Sequence, residues 1–287
     1  MKSLSDTYVL KSGTKMPGYG TGTYGLKKEQ DCRNSVSWAL QNNVRSIDCA
    51  SAYKNEHWVG EEIKNSGIPR DELFITSKVW NAQQGYEETK TAFYQSCEKL
   101  QTDYLDLYLI HWPCPKAERY TDTWKAMIDL QKQGKIRAIG VSNFYIEHLE
   151  KLIEETGVIP EVNQIEYHPW LQEEALIQYM REKQIQPESW SPLVRGKILQ
   201  EPVLLQLAEK YHKSSAQIVL RWNIQNGVII IPRSSNLSRV KENMDIFDFS
   251  LSEDDMELIH GMQNGYRNGF DSNEYHFDAN YKEVARQ

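Results

Sequence analysis

The feature that most constrains the fold of this chain is a regular alternation of short apolar runs and longer amphipathic runs. After a stretch that reads as a β-hairpin turning at Ser12-Gly13, eight strand candidates follow, at 18–23, 46–49, 73–78, 105–111, 139–142, 162–166, 186–190 and 228–231. Helical patterns lie between them, at 30–41, 56–64, 87–100, 123–133, 146–155, 173–183 and 214–226. Strands that alternate with helices in this way predict a parallel sheet with right-handed crossovers.

Eight such units predict a closed (β/α)8 barrel, the TIM-barrel fold, with the N-terminal hairpin before it and a C-terminal tail after it. A doubly wound open sheet is the main competitor, but eight strands in a chain of 287 residues fit the barrel better. We therefore predict a single domain over residues 1–287. The active site of such a barrel gathers at the C-terminal ends of its strands, so the residues that end each strand are the first candidates.

Composition and charge argue against several other classes of protein. Lys and Arg number 33 against 40 Asp and Glu, and the formal net charge of −7 argues against a nucleic-acid binder. The longest apolar runs are short, such as 228–231, whereas a membrane-spanning helix needs about 18 apolar residues. Cys32, Cys49, Cys97 and Cys114 lack CxxC spacing, which argues against a disulfide scaffold or structural zinc. The N-terminus has no signal-peptide pattern, so we predict a cytoplasmic protein.

Four polar residues stand at or just after consecutive strand ends. Asp48, Lys78 and His111 lie at the ends of the second, third and fourth strand candidates. Tyr53 lies in the loop after Asp48. Alone, each has a common structural interpretation, as a turn residue, a solvated charge, a structural histidine or a packed ring. Together they suit one chemistry: an ammonium lowers the pKa of a phenol, an aspartate holds the ammonium, and a histidine orients a substrate oxygen. Such a site gives a proton to a carbonyl and needs a separate hydride donor.

Several motifs, in order and at compatible spacing, resemble those of a known family. They are IDCASAYKNE at 47–56, ITSKVW at 75–80, DYLDLYLIHWP at 103–113, GVSNF at 140–144, VNQIEYHP at 162–169, IPRS at 231–234 and RVKEN at 239–243. From about Gly13 to Met262 the chain resembles short-loop members of the aldo-keto reductase family. The resemblance implies a barrel that reduces aldehydes or ketones to alcohols with NADPH, and NADH as a weaker alternative. It also implies that Asp48, Tyr53, Lys78 and His111 are the catalytic residues, with Tyr53 as the general acid.

The loop after the last strand candidate is a second candidate site. Barrels hold phosphate at such loops and at helix N-termini, and here Arg233, Ser234 and Arg239 lie around a helix start. Guanidinium groups offer phosphate a planar fork of donors. The resemblance implies that Ser234 and Arg239 hold the 2′-phosphate. The family usually has Lys where this chain has Arg233, which leaves a cation at the position but changes its geometry.

The resemblance assigns further cofactor contacts residue by residue. Ser142, Asn143 and Gln164 match groups that bind the nicotinamide amide, and Trp190 matches the ring, often Tyr, that stacks on the nicotinamide. The remaining cofactor-binding candidates are Gly22, Thr23, Tyr24, Asp48, the pyrophosphate contacts Ser191 and Leu193, Ile231, Pro232, and the adenine contacts Glu242 and Asn243.

The substrate pocket is predicted from aromatic residues that follow strand ends. Tyr24, Trp80 and Trp112 match family pocket positions beside His111, and Tyr24 stands where Trp is common. The short loop at 112–120 favours an open site and broad substrate tolerance. A small carbonyl compound is the only partner that these features imply, and no obligate protein partner is predicted.

Two other functional classes are alternatives: a hydrolase on the same barrel, and a cofactor-sensing module of the kind that some barrels resembling this family form. A glycosidase on the same barrel needs two carboxylates that flank one bond, and besides Asp48 only Glu166 is an obvious carboxylate at a strand end. A metal hydrolase needs clustered ligands, yet none of the seven His residues forms an HxH pair, and we predict no metal site. A cofactor-sensing binding module is the second alternative, and steady-state consumption of NADPH with simple aldehydes distinguishes it from an enzyme.

Overall fold

A two-stranded antiparallel hairpin forms the N-terminal end of the molecule in the computed structural model, which describes residues 1–275. Strand β1 (Thr7–Val9) pairs with β2 (Lys15–Pro17), as the turn signal predicts. The apolar side chains of Leu10 and Met16 pack on residues from the barrel strands, among them Leu107. The hairpin therefore covers one end of the barrel and leaves the other end open for a site.

An eight-stranded parallel sheet follows the hairpin, and its strands stand in chain order. They are β3 (Thr21–Gly22), β4 (Ser46–Asp48), β5 (Phe74–Val79), β6 (Leu105–Ile110), β7 (Ile136–Ser142), β8 (Val162–Glu166), β9 (Gln186–Trp190) and β10 (Ile229–Ile230). Main-chain hydrogen bonds join the two edges: Gly20 N donates to Ile230 O at 2.8 Å, and Ile230 N donates to Gly18 O at 3.3 Å. The predicted (β/α)8 barrel is confirmed.

Helices surround the barrel. They are α1 (Glu29–Gln41), α2 (Glu56–Asn65), α3 (Tyr86–Leu100), α4 (Tyr120–Lys132), α5 (Ile146–Thr156), α6 (Glu174–Glu182), α7 (Pro202–Tyr211), α8 (Ser215–Gln225), α9 (Leu237–Met244) and α10 (Glu253–His260). The helical patterns of the sequence missed α7 and α10, and only the start of α9 was predicted. Pro202 marks the start of α7, because proline at the first helical position loses no intrahelical hydrogen bond. Within residues 1–275, no helix has both the length and the apolarity to cross a membrane.

The seam between the first and last barrel strands depends on a glycine. A Cβ atom added to Gly22 would lie 2.9 Å from the carbonyl oxygen of Ile231, so an alanine would force the two backbones apart. We expect Gly22→Ala to lower the free energy of unfolding by about 1–3 kcal/mol, measured by thermal or denaturant unfolding. Gly261→Ala is the matched control, because its Cβ atom would meet ordinary contacts at 3.5 Å. Equal stability of the two variants would contradict this account of the seam.

Candidate active site

A buried ion pair lies at the C-terminal ends of β4 and β5. Lys78 Nζ donates to both carboxylate oxygens of Asp48, at 2.6 and 2.7 Å, and to the carbonyl oxygen of Cys49 at 3.0 Å. The same ammonium lies 3.4 Å from the hydroxyl of Tyr53. Asp48 and Lys78 are 2 % and 0 % exposed, so water does not screen their interaction. The structure thus brings three of the four predicted catalytic residues into direct contact.

The turn after β4 carries Tyr53 back over the end of the barrel. A short 3-10 helix at Ser51–Tyr53 follows the strand, and Lys54 ends it in the left-handed region at a φ of 57°. Ser51 Oγ donates to the carbonyl oxygen of Lys78 at 3.0 Å. This bond ties the turn to β5 and holds the phenol beside the ammonium.

Burial and the ion pair have opposing effects on the ionisation of these groups. Burial raises the pKa of Tyr53, and the Lys78 cation offsets only part of that rise. The sequence-based expectation of a lowered pKa is therefore wrong for the protein without ligand, because desolvation of the phenolate outweighs the nearby charge. Burial acts to lower the pKa of Lys78, but the Asp48 carboxylate more than compensates and the pKa is raised. Lys78 is a cation and Tyr53 a neutral phenol at neutral pH.

His111, the fourth predicted residue, completes the cluster at the end of β6. Its ring stands edge-on to Tyr53 with centroids 5.6 Å apart, and to Trp80 with centroids 5.1 Å apart. Burial and the Lys78 charge hold the pKa of His111 well below its usual range, so the imidazole is neutral. Its Nδ1 is buried without a hydrogen-bond partner within residues 1–275, which leaves Nε2 as the nitrogen available to a ligand.

The three predicted nicotinamide-amide contacts form one hydrogen-bonded group at the ends of β7 and β8. Ser142 Oγ and the backbone N–H of Asn143 both donate to the carbonyl oxygen of Gln164, each at 2.9 Å. Asn143 Nδ2 donates to Ser142 Oγ at 3.0 Å and to the carbonyl oxygen of His111 at 2.9 Å. The side chains of this group therefore lie directly beside the catalytic candidates.

Trp190 belongs to the same group through its indole nitrogen. Trp190 Nε1 donates to Asn143 Oδ1 at 2.8 Å, a bond that a tyrosine at this position lacks the nitrogen to make. Gly269 packs so closely against the Trp190 ring that a Cβ atom added to it would lie 2.4 Å from the indole. The C-terminal segment thus contacts the ring that is predicted to stack on the nicotinamide.

The C-terminal segment also covers the predicted substrate wall. The Trp112 ring contacts Phe270 and Tyr275, with centroid distances of 6.2 and 4.6 Å, and Trp112 is only 8 % exposed. An open site was expected from the short loop at 112–120, and this expectation is wrong on the Trp112 side. The cover comes from the C-terminal tail. The scattered aromatic residues of that tail were the signal in the sequence for such a cover. Residues 276–287 of the tail lie outside the described part of the chain. Tyr24, 58 % exposed, stands edge-on to Tyr53 at 5.1 Å on the other side.

The predicted phosphate site lies where β10 runs into α9. Asn236 Oδ1 caps the helix by accepting hydrogen bonds from the backbone N–H groups of Ser238 and Arg239. Arg233 and Arg239 are exposed, and neither forms an ion pair with an acidic side chain of residues 1–275. Two unpaired guanidinium groups at a helix N-terminus fit an anionic phosphate.

The other predicted cofactor-binding residues lie on the same rim. Thr23 Oγ1 donates to the carbonyl oxygen of Asp48 at 3.0 Å, and Ser191 turns the chain after β9 at a φ of 54°. Ile231, Pro232 and Ser234 are buried before the start of α9, and Asn243 is buried in its last turn, while Leu193 and Glu242 are half-buried. Within the described 275 residues, no group of three His, Cys, Asp or Glu side chains is arranged to hold a metal ion.

One buried carboxyl of the site escaped the sequence analysis. Glu188 lies inside β9 and is 1 % exposed, and its Oε2 accepts a hydrogen bond from Gln164 Nε2 at 2.8 Å. It is two residues before the strand end, so a search of strand ends alone passes over it. The sequence did hold one signal for it: Glu188 is two residues before Trp190 on the same strand, so both side chains point to the same face of that strand.

Comparison with known proteins decides the family. A family model described as "Aldo/keto reductase family" matches residues 17–264. The chain belongs to the aldo/keto reductase family. The identification made from the sequence motifs, of the family and of a reductase enzyme, is therefore confirmed.

Individual relatives match this chain over nearly their whole length. Glyoxal reductase of Bacillus subtilis (strain 168) is 51 % identical over 267 residues, which cover 93 % of this chain and 96 % of that protein. Methylglyoxal reductase DkgA of Escherichia coli (strain K12) is 44 % identical over 268 residues, with coverages of 93 % and 96 %. A crystal structure of a Gox0644 mutant in complex with NADPH superposes with a TM-score of 0.90 at 41 % identity, and covers 94 % of this chain and 98 % of that one.

Proposed function

We propose that this protein reduces aldehydes or ketones to alcohols with NADPH, and that Tyr53 is the general acid. The observation that carries the proposal is the contact between the Tyr53 hydroxyl and the Lys78 ammonium, which is itself paired with Asp48. A phenol gives up a proton more readily when a fixed cation stabilises the phenolate that forms. The neutral ring of His111 stands beside the same hydroxyl and offers Nε2 as a second donor to a substrate oxygen.

In the proposed reaction, the carbonyl oxygen of the substrate lies between the Tyr53 hydroxyl and His111 Nε2. NADPH, when bound, supplies the hydride that reduces the carbonyl carbon. As negative charge develops on the oxygen, Tyr53 transfers its phenolic proton to it and the alcohol forms. Lys78 stabilises the resulting phenolate, and Asp48 keeps the ammonium charged and in place.

Two features support NADPH as the cofactor. The Gox0644 mutant, a relative with the same fold, was solved in complex with NADPH. In this chain, the unpaired Arg233 and Arg239 at the start of α9 offer charge-assisted donors to the additional phosphate of NADPH. Ser142, Asn143 and Gln164 would hold the nicotinamide amide, and Trp190 would stack on the ring.

The substrate class that we propose is small aldehydes, including dicarbonyl compounds. The curated relatives named glyoxal reductase and methylglyoxal reductase support this proposal. Tyr24, Trp80 and Trp112 would form an apolar wall beside the reacting carbonyl. The predicted cytoplasmic location stays a prediction that cell fractionation tests.

The experiment that tests the function is steady-state oxidation of NADPH and of NADH, followed by absorbance, over a panel of carbonyl compounds. The panel contains glyoxal, methylglyoxal, simple aromatic aldehydes and ketones. We expect turnover with aldehydes and higher catalytic efficiency with NADPH. Tight binding of NADPH without turnover of any carbonyl would instead favour the cofactor-sensing alternative.

Cofactor preference should depend on Arg239. Arg239→Ala removes a cation that can pair with the 2′-phosphate, and we expect KM for NADPH to rise about tenfold or more while KM for NADH changes little. Arg233→Ala should have a weaker effect of the same kind, and the preference should shrink as ionic strength rises. Lys241→Ala removes an exposed cation from the same helix and is the matched control. Equal efficiency of the wild type with both cofactors at low salt would exclude a 2′-phosphate site here.

A further inference from the structure

Glu188 is a buried carboxyl at the centre of the site that the proposed chemistry does not use. Strand register places it directly beside Gln164 of the neighbouring strand β8. Gln164 Nε2 donates to Glu188 Oε2 at 2.8 Å and to Asp48 Oδ2 at 2.8 Å. One amide nitrogen therefore connects Glu188 to the ion pair of Asp48 with Lys78.

The two bonds determine the orientation of the Gln164 carboxamide. A primary amide carries two N–H donors on its nitrogen and one acceptor oxygen. Both donors of Gln164 are directed at acid oxygens, whereas an amide oxygen turned toward Asp48 would meet a carboxylate without a proton between them. The acceptor atom, Oε1, is consequently the end of the side chain that remains for a ligand.

Burial favours the protonated, neutral form of Glu188, which can still accept a hydrogen bond. Burial raises the pKa of Glu188, and the nearby Asp48 carboxylate raises it further, against smaller opposing effects of Gln164 and Lys78. A carboxylic acid that keeps its proton on one oxygen still accepts a hydrogen bond on the other. Glu188 can therefore hold Gln164 without adding a second full negative charge beside Asp48.

We propose that Glu188 is a positioning residue for cofactor recognition: it holds Gln164 Nε2, so that Gln164 Oε1 accepts a hydrogen bond from the nicotinamide carboxamide. This inference rests on the proposed function, in which Gln164 contacts the nicotinamide. Asp48 alone leaves one donor of Gln164 without a fixed partner, and the carboxamide can then rotate. Glu188 removes that freedom before the cofactor binds, which lowers the entropic cost of binding.

The test compares the affinities of two ligands that share the adenine and 2′-phosphate end. NADPH carries the nicotinamide, whereas adenosine 2′,5′-bisphosphate carries only the adenine and the 2′-phosphate. Glu188→Met keeps most of the side-chain volume and removes the acceptor. We expect the Kd of NADPH to rise about three- to tenfold, the loss of one hydrogen bond, and the Kd of the bisphosphate to stay unchanged in titration calorimetry.

Two control variants separate positioning from stability. Glu188→Gln retains an acceptor of the same length, so we expect it to restore NADPH affinity toward the wild-type value. Glu161→Met removes another buried carboxyl, one that accepts from the backbone of Ser12 near the hairpin. This change should lower stability without altering the affinity ratio of the two ligands.

A double-mutant cycle tests whether Glu188 acts through Gln164. In a Gln164→Ala background, Glu188→Met should cause no further loss of NADPH affinity. Should Glu188→Met fail to fold, Glu188→Asp withdraws the carboxyl by one methylene and should give the same selective loss.

Equal losses for both ligands, or unchanged NADPH affinity, would overturn the positioning role. Failure of the wild type to bind NADPH would instead contradict the proposed function itself.

Discussion

Replacing Tyr53 with Phe should reduce carbonyl turnover about 10²-fold or more and leave NADPH affinity nearly unchanged. The substitution keeps the ring, and with it the edge-on contacts to Tyr24 and His111, and removes only the atom that carries the proton. The cofactor contacts that we propose lie on other residues, so binding has no reason to change. Steady-state kinetics with saturating aldehyde and fluorescence titration with NADPH measure the two quantities.

Tyr24→Phe is the matched control for this prediction. Tyr24 is a neighbouring tyrosine at the same end of the barrel, but it is 58 % exposed and makes no side-chain hydrogen bond to the ion pair. Loss of its hydroxyl should change turnover only slightly. Turnover of Tyr53→Phe close to that of the wild type would remove Tyr53 from the role of general acid.

Replacing Lys78 with Met should abolish most of the activity and also destabilise the fold. The change leaves the Asp48 carboxylate buried without its cation, and breaking a buried pair in this way costs about 3–5 kcal/mol. Any residual activity should shift to higher pH, because the phenol of Tyr53 loses the charge that opposes the rise in its pKa. Denaturant unfolding and a pH–rate profile measure the two effects.

The double variant Lys78→Met with Asp48→Asn separates catalysis from stability. It removes both charges, so no unpaired ion remains in the barrel, and we expect it to recover part of the lost stability. Activity should remain low, since no cation faces the phenol. A double variant that is both stable and active would show that the ion pair has only a structural role.

The motifs at the strand ends were predictable because strand direction alone determines where they lie. Asp48, Lys78 and His111 lie within one residue of the C-terminal ends of β4, β5 and β6, and the C-terminal ends of all barrel strands meet on one face. Their location on one face of the barrel therefore follows from the alternation pattern without any knowledge of side-chain packing. The helix start after the last strand was predictable for a similar reason, since Asn236 is a strong N-cap residue.

Other features escaped prediction because they depend on partners distant in the sequence. Glu188 is meaningful only through Gln164, which is separated from it by a helix, and Asp48 is a further 116 residues from Gln164. Phe270 and Tyr275 cover Trp112 only because the tail returns across the barrel mouth. The local signals, an acidic residue in phase with Trp190 and the aromatic spacing of the tail, do not say which distant residue each side chain contacts.

By itself, the sequence determined the barrel, its order of strands, the family and the residues that gather at one end. Hydrophobic periodicity sets the barrel and its strands, whereas the family and the roles of the site residues came from the resemblance of the motifs; both are local properties of the sequence. Only the tertiary structure decided the ionisation of Tyr53, the orientation of Gln164 and the cover over Trp112. The physical reason is that desolvation and hydrogen-bond geometry depend on which atoms the folded chain brings together. The sequence shows that Lys78 lowers the pKa of Tyr53. Only the folded structure shows that burial of the Tyr53 hydroxyl raises this pKa by more than Lys78 lowers it.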